Sequence, residues 1–294
     1  QTYAPVRKNF LALFLSSACL AALAADPAPI DTLNFDADPY FILTEEADTA
    51  ISHRDWPAAA ARLSEAIAIR PDTPTSLLLM TNLASVYAEL GHDSLALATY
   101  DRVLDRAPDM FTTRLGRGRQ LLAMGRDTEA YHDFSAALAI DSLSADAHYY
   151  HGLIALYAGN AGQAERDFNT LARIAPKSFD TAMALGTLYS LTGRERQAIP
   201  YLERILEADP AAEFFASLAG CYLALGQLSE AAEVINRGLR SFPRDPELYY
   251  YRAWLNRDRY RLDEARADAA RAISLGASKA RVDELFSRHT QPGK

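Results

Sequence analysis

A period of about thirty-four residues runs through this chain and limits what it can fold into more than any other feature. Prolines mark breaks at Pro71, Pro108, Pro176, Pro210 and Pro243, with Ser142 and Ala277 on the two remaining beats, giving intervals of 37, 34, 34, 34, 33 and 34 residues. Alanine keeps the same beat at Ala59, Ala96, Ala130, Ala164, Ala198, Ala231 and Ala265, and glycine at Gly91, Gly125, Gly159, Gly193 and Gly226. Three residue types in register over most of the chain point to one small supersecondary unit repeated in a row. Each unit is too thin to bury its own apolar face and is stable only when stacked on its neighbours.

Each unit reads as two helices. Met80, Leu83, Ala84 and Tyr87 fall at i, i+3, i+4 and i+7, the single apolar stripe of a helix. Gly91 follows, a residue suited to the left-handed turn that closes a helix. Ala96, Tyr100, Val103 and Leu104 carry the stripe of a second helix, which Pro108 stops. Asp38-Pro39, Thr73-Pro74, Asp209-Pro210 and Asp245-Pro246 each place a capping side chain before a proline, the signature of a helix start. The recurring alanine lets the two helices of a unit approach closely.

At these residues the chain resembles the tetratricopeptide repeat family, whose pattern of a large apolar residue, Leu-Gly, Tyr, Ala, Phe and Pro is matched by Met80, Leu83-Ala84, Tyr87, Ala96, Tyr100 and Pro108. Leu185-Gly186, Tyr189, Ala198, Leu202 and Pro210 repeat it, as do Phe215, Leu218-Ala219, Tyr222, Ala231, Ile235 and Pro243. The resemblance implies an all-α solenoid of about seven helix-turn-helix repeats, spanning residues 40–277, with residues 278–294 forming a capping helix and tail. The terminal units depart most from the pattern. Glu46-Ala47 and Ala50 stand where Leu-Gly and Tyr are expected, and Tyr260 stands where Gly is expected. Terminal repeats pack on one side only, so degeneracy concentrates there. After the last unit, Ser278 is placed to cap a helix bearing Val282, Leu285 and Phe286 on one face.

Residues 1–25 have a different character. Arg7 and Lys8 precede an apolar run from Phe10 to Leu23, and Ala22, Ala24 and Ala25 lead to Asp26-Pro27. A basic start, a short apolar run and small residues at the exit are the layout of a secretory signal peptide, and the run is short for a membrane span. A linker over residues 26–39 follows. The expected location is therefore periplasmic or secreted, in a bacterial cell envelope. Leu15-Ser-Ser-Ala-Cys19 also resembles a lipoprotein box, so Cys19 acylation and an outer-membrane anchor is the alternative.

In stacks of this kind the first helices of successive repeats line the inner side. The stripe opposite the core reads Phe41, Thr44, Asp48 and Ser52 in the first unit, Leu78, Thr81, Ser85 and Glu89 in the second, Thr112, Leu115, Arg119 and Leu122 in the third and Asp146, Tyr149, Leu153 and Tyr157 in the fourth. It continues with Asp180, Met183, Thr187 and Leu191, then Glu213, Ala216, Gly220 and Ala224, then Glu247, Tyr250, Trp254 and Asp258. A strip this apolar, with aromatic anchors, marks a binding surface for a protein or peptide. The candidate partner-binding residues are Tyr149, Leu153, Tyr157, Met183, Thr187, Tyr250, Trp254 and Arg119. The competing expectation is that tight winding buries these side chains. The acidic residues opening the first helices are expected to offset the helix dipole; the alternative is a rim that steers a basic partner. The family's cationic clamp for C-terminal carboxylates needs Lys, Asn and Arg on successive inner walls. Only Arg119 qualifies, which disfavours chaperone tails.

Chemistry is otherwise sparse. Thirty Lys and Arg against 38 Asp and Glu give a net charge of −8, which argues against nucleic acid as a partner. Cys19 and Cys221 are too few for a disulfide framework or a thiolate metal site. His148 and His151 are three apart on a helix, but they occupy packing slots of the fourth repeat, so packing or partly exposed histidines are expected rather than metal ligands. Gly116-Arg-Gly118 follows no strand and lacks a phosphate-binding lysine. Cys221 falls in a helix core without a base. The repeats leave no segment for a catalytic domain, so a non-enzymatic scaffold with no cofactor and no metal is expected.

Overall fold

Helix caps, turn glycines and small packing residues recur in the same order along the chain, and the structure is built from them. It is a computed structural model that describes residues 38–287. The leader expected over residues 1–25, Cys19, the linker as far as residue 37 and the tail from residue 288 lie outside the described residues. Those described form fifteen helices and no strands. They are α1 Pro39–Ser52, α2 Trp56–Ile69, α3 Pro74–Glu89, α4 Asp93–Arg106, α5 Phe111–Ala123, α6 Asp127–Ile140, α7 Ala145–Tyr157 and α8 Ala161–Ile174. There follow α9 Phe179–Leu191, α10 Glu195–Ala208, α11 Ala212–Ala224, α12 Leu228–Ser241, α13 Pro246–Asp258, α14 Leu262–Ser274 and α15 Lys279–Ser287. The fold class read from the period, an all-α solenoid of helical hairpins, is the fold found.

The chain divides into two compact units, residues 1–154 and 155–294, with the boundary inside α7. In the first, α1 packs on α2, α3 on α4 and α5 on α6, and each hairpin packs on the next. Ala59, Ala96 and Ala130 are wholly buried, which lets the paired helices close. The core of α5–α7 contains Leu115, Leu121, Leu122, Phe134, Ala137 and Ile154. A Cβ built on Gly118 would stand 2.9 Å from the Phe134 ring, so only glycine admits that ring. In the second unit, α9–α10, α11–α12 and α13–α14 pair in the same way around Ala198, Ala231 and Ala265. Leu202, Ile205, Phe215, Leu218, Ile235 and Leu248 fill its main core.

The turn glycines do what their beat implies. Gly91, Gly125, Gly159, Gly193 and Gly226 all have positive φ, between 67° and 83°. The amide after Gly91 reaches back to the Tyr87 carbonyl at 2.8 Å, closing the helix in a Schellman turn. The degenerate end repeats make the same turn without glycine, with Arg54 at φ 57° and Tyr260 at φ 61°. Asp38, Thr73 and Asp245 cap α1, α3 and α13 through their side chains. Asp209-Pro210 differs from expectation: α11 begins at Ala212 with Ala211 as its cap, and Asp209 ends α10 instead. Pro210 belongs to the interrepeat break, on the same beat as Pro176 and Pro243, and its neighbour is consumed there.

Within several repeats the apolar Leu slot of the first helix is replaced by a charge that meets its opposite on the second helix. Arg117 donates to Asp133 through Nε at 2.7 Å and Nη2 at 2.8 Å, and Arg114 adds a third bond at 3.0 Å. Arg252 holds Asp268 in the same way, at 2.9 and 2.6 Å. In the first repeat the signs are exchanged, Glu46 on the first helix and Arg62 on the second, 3.0 Å apart. Where the slot stays apolar, its partner is uncharged: Leu218 with Val234, Leu83 with Thr99. The two slots therefore change together.

Candidate functional site

The stripe expected on the inner side of the first helices is only partly open, and the two units treat it differently. In residues 1–154 much of it is used internally. Thr81 and Thr113 share a buried hydrogen bond of 2.6 Å between α3 and α5, and Ser85 pairs with the Tyr100 hydroxyl at 2.8 Å. Leu115, Leu122 and Leu153 are buried. Arg119 is half-buried and stands 3.9 Å from Asp146 at the start of α7, so the one basic group of the stripe faces a carboxylate of the same stripe. Tyr149 is half-buried, its ring edge-on to Tyr150 at 5.1 Å.

In residues 155–294 the stripe is more open. Tyr157 closes α7 at 46% exposure, and Leu191, in the same slot of α9, reaches 59%. Between them in the pattern, Met183 and Thr187 are half-buried, with Met183 packed on the core through its inner side. Glu213 at the start of α11 is exposed. Partial burial raises the Tyr157 pKa, and the Glu213 carboxylate raises it further.

The C-terminal part of the stripe is covered. Tyr250 is buried, with the Arg281 guanidinium 4.0 Å above its ring and Tyr251 edge-on at 5.3 Å. Arg281 belongs to α15 and pairs with Glu247 at 2.5 Å, while the buried Arg257 donates to the Leu285 carbonyl at 2.6 Å. The capping helix carries Val282 and Leu285 into the core as its sequence implies. Trp254 is half-buried. It stacks on Tyr251 at 6.2 Å and gives its Nε1 proton to Asp258 at 2.8 Å.

Periodicity assigns a face but not how much of that face is covered. Leu153 and Tyr250 are on the expected stripe yet buried. Leu191, which the pattern places on the stripe without singling it out, is its most exposed large apolar side chain. Of the stripe residues in the second unit, Tyr157 and Leu191 are exposed and Met183 and Thr187 half-buried.

The candidate chemical groups sit elsewhere and are occupied. His151, expected as a packing or partly exposed histidine, is buried, with Nε2 3.1 Å from the Ser135 hydroxyl and its ring stacked on Tyr131 at 4.1 Å. Tyr131 and Ser135 on α6 close over the slot. The His148 Nε2 meets the Ser142 carbonyl oxygen at 3.1 Å. Among the described residues there is no group of three or more His, Cys, Asp or Glu side chains placed to hold a metal ion. Cys221 is buried, 4.0 Å from the Ser190 hydroxyl, and burial pushes its thiol pKa up, away from the reactive thiolate. No helix among the described residues is long and apolar enough to cross a membrane.

Comparison with known proteins agrees with this architecture. Family models described as tetratricopeptide repeat match residues 44–111, 179–211 and 196–255. A curated relative, an FK506-binding protein-like protein of Mus musculus, is 38% identical over 71 residues, 24% of this chain, and the chain spans only 20% of that relative's length. Among solved structures, PilW, described as a widely conserved type IV pilus biogenesis factor, superposes with a TM-score of 0.62 at 21% identity, covering 71% of this chain and 96% of that one. YrrB, described as a TPR protein with an unusual peptide-binding site, gives a TM-score of 0.53 at 19% identity over 63% of this chain and 94% of that one. At these identities the structural likeness shows fold alone. Together with the matched models and the helical hairpins on their thirty-four-residue beat, it makes this chain a member of the tetratricopeptide repeat family.

Proposed function

We propose that the protein is a non-enzymatic scaffold that holds another protein, or a peptide segment of one, against the exposed stripe of its first helices. The observation that carries this reading is the open patch of Tyr157 and Leu191, with Met183 and Thr187 between them in the pattern. Large apolar groups left this exposed cost solvation free energy unless something covers them, and aromatic and aliphatic anchors of this kind supply most of the affinity at protein interfaces. Trp254 is a further half-buried residue of the stripe in this unit, where Tyr250 is buried; Tyr149 and Arg119, half-buried, and Leu153, buried, belong to the stripe of the first unit. That one similar fold carries a peptide-binding site and another serves pilus biogenesis is in keeping with this reading.

The proposed place of action is the bacterial cell envelope, on the strength of Arg7, Lys8 and the apolar run that follows them. A lipid anchor at Cys19 is the second form of the same proposal, favoured by Leu15-Ser-Ser-Ala-Cys19. Mass spectrometry of the mature N-terminus separates them: a diacylglyceryl cysteine supports the anchor, and a free Ala25 or Asp26 supports the cleaved form. The binding reading is tested by affinity capture from envelope extracts with the unaltered chain and with Tyr149, Tyr157 and Trp254 changed to alanine. Partners lost from the triple variant support it, and partners retained undiminished refute it.

A further inference from the structure

Arginines gather around the turn between α12 and α13 without a counter-ion. Arg237 and Arg240 lie on the last two turns of α12, Arg244 in the turn itself and Arg271 in the last turn of α14, and all are exposed. Contacts tie them to one place. The Arg237 guanidinium stands 5.7 Å from the centre of the Phe215 ring, and Phe215 meets Phe242 of the turn at 6.2 Å. The Arg271 guanidinium stands 5.9 Å from the centre of the Tyr249 ring. The Tyr249 hydroxyl in turn donates to the carbonyl of Pro243, the residue before Arg244, at 3.2 Å. Arg237 and Arg271 are 34 residues apart, as are Phe215 and Tyr249, so the repeat sets an arginine over the same ring slot in successive units. Among the described residues, none of these guanidinium groups has a hydrogen-bond or ion-pair partner.

The carboxylates nearby are used elsewhere or make no pair. Asp245 caps α13 by accepting from the Leu248 amide at 2.9 Å. Glu247 is held by Arg281, and Asp268 by Arg252. Glu233, one turn before Arg237 on α12, forms no ion pair with it. The preceding repeat differs. Its arginine in this slot, Arg204, is spent on the carbonyls of Pro176 at 3.2 Å and Ser178 at 2.9 Å, and the end of α10 carries Glu207 and Asp209. The basic surface therefore begins at α12 and stays local, in a chain whose net charge is −8. Arg240 and Arg271 offset the dipoles of α12 and α14 at their last turns, a role that leaves Arg237 and Arg244 unexplained.

We propose that this turn docks an acidic protein segment, one that carries aspartate or glutamate at alternate positions, on Arg237, Arg240, Arg244 and Arg271. Residues three apart on a helix stand about 5–6 Å from Cβ to Cβ. Alternate side chains of an extended segment are about 6–7 Å apart, so carboxylates two residues apart meet Arg237 and Arg240 together. The planar guanidinium fork takes a carboxylate through two bonds, and an arginine resting on a ring keeps that edge for a partner. A lipid surface suits the turn less. Membrane-binding faces set basic residues around an apolar group that enters the bilayer, and no large apolar side chain of this turn is exposed. A long polyanion would run onto Glu207 and Asp209 and be repelled. None of these arginines belongs to the stripe of the first helices, so the inference stands apart from the binding reading above.

The test uses the full chain and a fluorescein-labelled synthetic peptide in which glutamate alternates with serine, both ends blocked. A control peptide with the same label carries glutamine for glutamate. Binding is read by fluorescence anisotropy at low and high salt, with circular dichroism confirming that each variant keeps its helix content. The glutamate peptide is expected to bind, with affinity falling as salt rises, and the glutamine peptide far more weakly. Arg237→Gln, Arg240→Gln and Arg244→Gln are each expected to weaken binding about two- to fivefold, and together on the order of tenfold or more. Arg173→Gln with Lys177→Gln, which removes two exposed cations at the end of α8, is expected to leave it unchanged. If that pair of changes weakens binding as much as the three arginine changes, the attraction is general and the assigned turn is wrong. The inference also fails if the glutamate peptide does not bind, or if it binds the triple arginine variant as well as the unaltered chain. Co-sedimentation with phosphatidylglycerol vesicles covers the other occupant: vesicle binding that depends on these arginines, without peptide binding that does, would assign the turn to a membrane and overturn the proposal. The scaffold reading is decided separately, by the capture experiment with Tyr149, Tyr157 and Trp254 changed, none of which touches these arginines.

Discussion

The paired slots on the two helices of a repeat make a quantitative prediction. Asp133 is 3% exposed at its side chain and accepts three hydrogen bonds, two from Arg117 and one from Arg114. Arg117 also keeps a second partner, Asp101, at 2.6 Å. Its pKa is held above even its ordinary high value, chiefly by the bond to Asp133. Changing Arg117→Leu alone leaves the buried carboxylate with only Arg114, and Asp133→Val alone leaves a half-buried guanidinium facing a methyl group. Removing one partner of a buried pair costs about 3–5 kcal/mol. Here the arginines retain some solvent and Asp101 remains, so about 2–3 kcal/mol is expected for each single change. The double change reproduces the Leu218 and Val234 pairing that the sixth repeat already uses. Replacing a whole buried ion pair by apolar groups of similar size is often neutral or stabilising. The double variant should therefore lie within about 1 kcal/mol of the unaltered chain, a coupling of several kcal/mol in a double-mutant cycle. Urea unfolding followed by far-UV circular dichroism measures it, with the low-denaturant limb compared among the four proteins because repeat arrays need not unfold in one step. Additive losses in the double variant, or single changes within about 0.5 kcal/mol of the parent, would refute the reasoning.

Three further outcomes follow from named side chains. Tyr260 is 87% exposed in a left-handed turn that five other repeats give to glycine, so Tyr260→Gly should raise stability by about 1 kcal/mol, read as a higher thermal midpoint. Pro200 sits inside α10, where it lacks the amide that would reach the Arg196 carbonyl. Pro200→Ala should therefore stabilise by about 1–3 kcal/mol, and a loss would mean the ring packs usefully. Tyr222 donates to Glu203 at 2.8 Å, and its pKa is pushed up to about 12, first by burial and then by that bond. A tyrosine raised above its unfolded value of about 10 holds its proton longer in the folded state, so its contribution is intact below pH 10 and is lost as pH climbs toward 12. The stability gap between the unaltered chain and Tyr222→Phe should hold from pH 7 to 9 and shrink above pH 10; a gap that widens there contradicts the assignment.

Most of the architecture was legible in the sequence because the signals are local and repeated. A glycine with no Cβ, a capping oxygen and a small residue at a helix crossing each act within a few residues, and the repeat copies them. The reading of Asp209-Pro210 as a helix start failed for a local reason as well: one dipeptide serves either as a cap or as an interrepeat break, and only register with Pro176 and Pro243 tells which. The binding surface was less legible. The 3.6-residue period gives the direction of a side chain from its own helix; along the stripe it assigns, Tyr157 is exposed and Met183 and Thr187 are half-buried. Whether a neighbour covers that face depends on residues far away in sequence. Arg281 on the capping helix buries Tyr250, a contact no period within α13 announces. His151 is buried for the same kind of reason, under Tyr131 and Ser135 of the preceding helix.

The central claim is that the first helices, through Tyr157 and Leu191, carry the partner. Site-specific photo-crosslinking in the native envelope tests it most directly, with a benzophenone side chain at Leu191 in one protein and at Arg173, exposed on the second helix α8, in another. The account predicts a discrete crosslinked partner from position 191 and none from position 173. A partner trapped from 173 and not from 191 would place binding on the opposite face and contradict it.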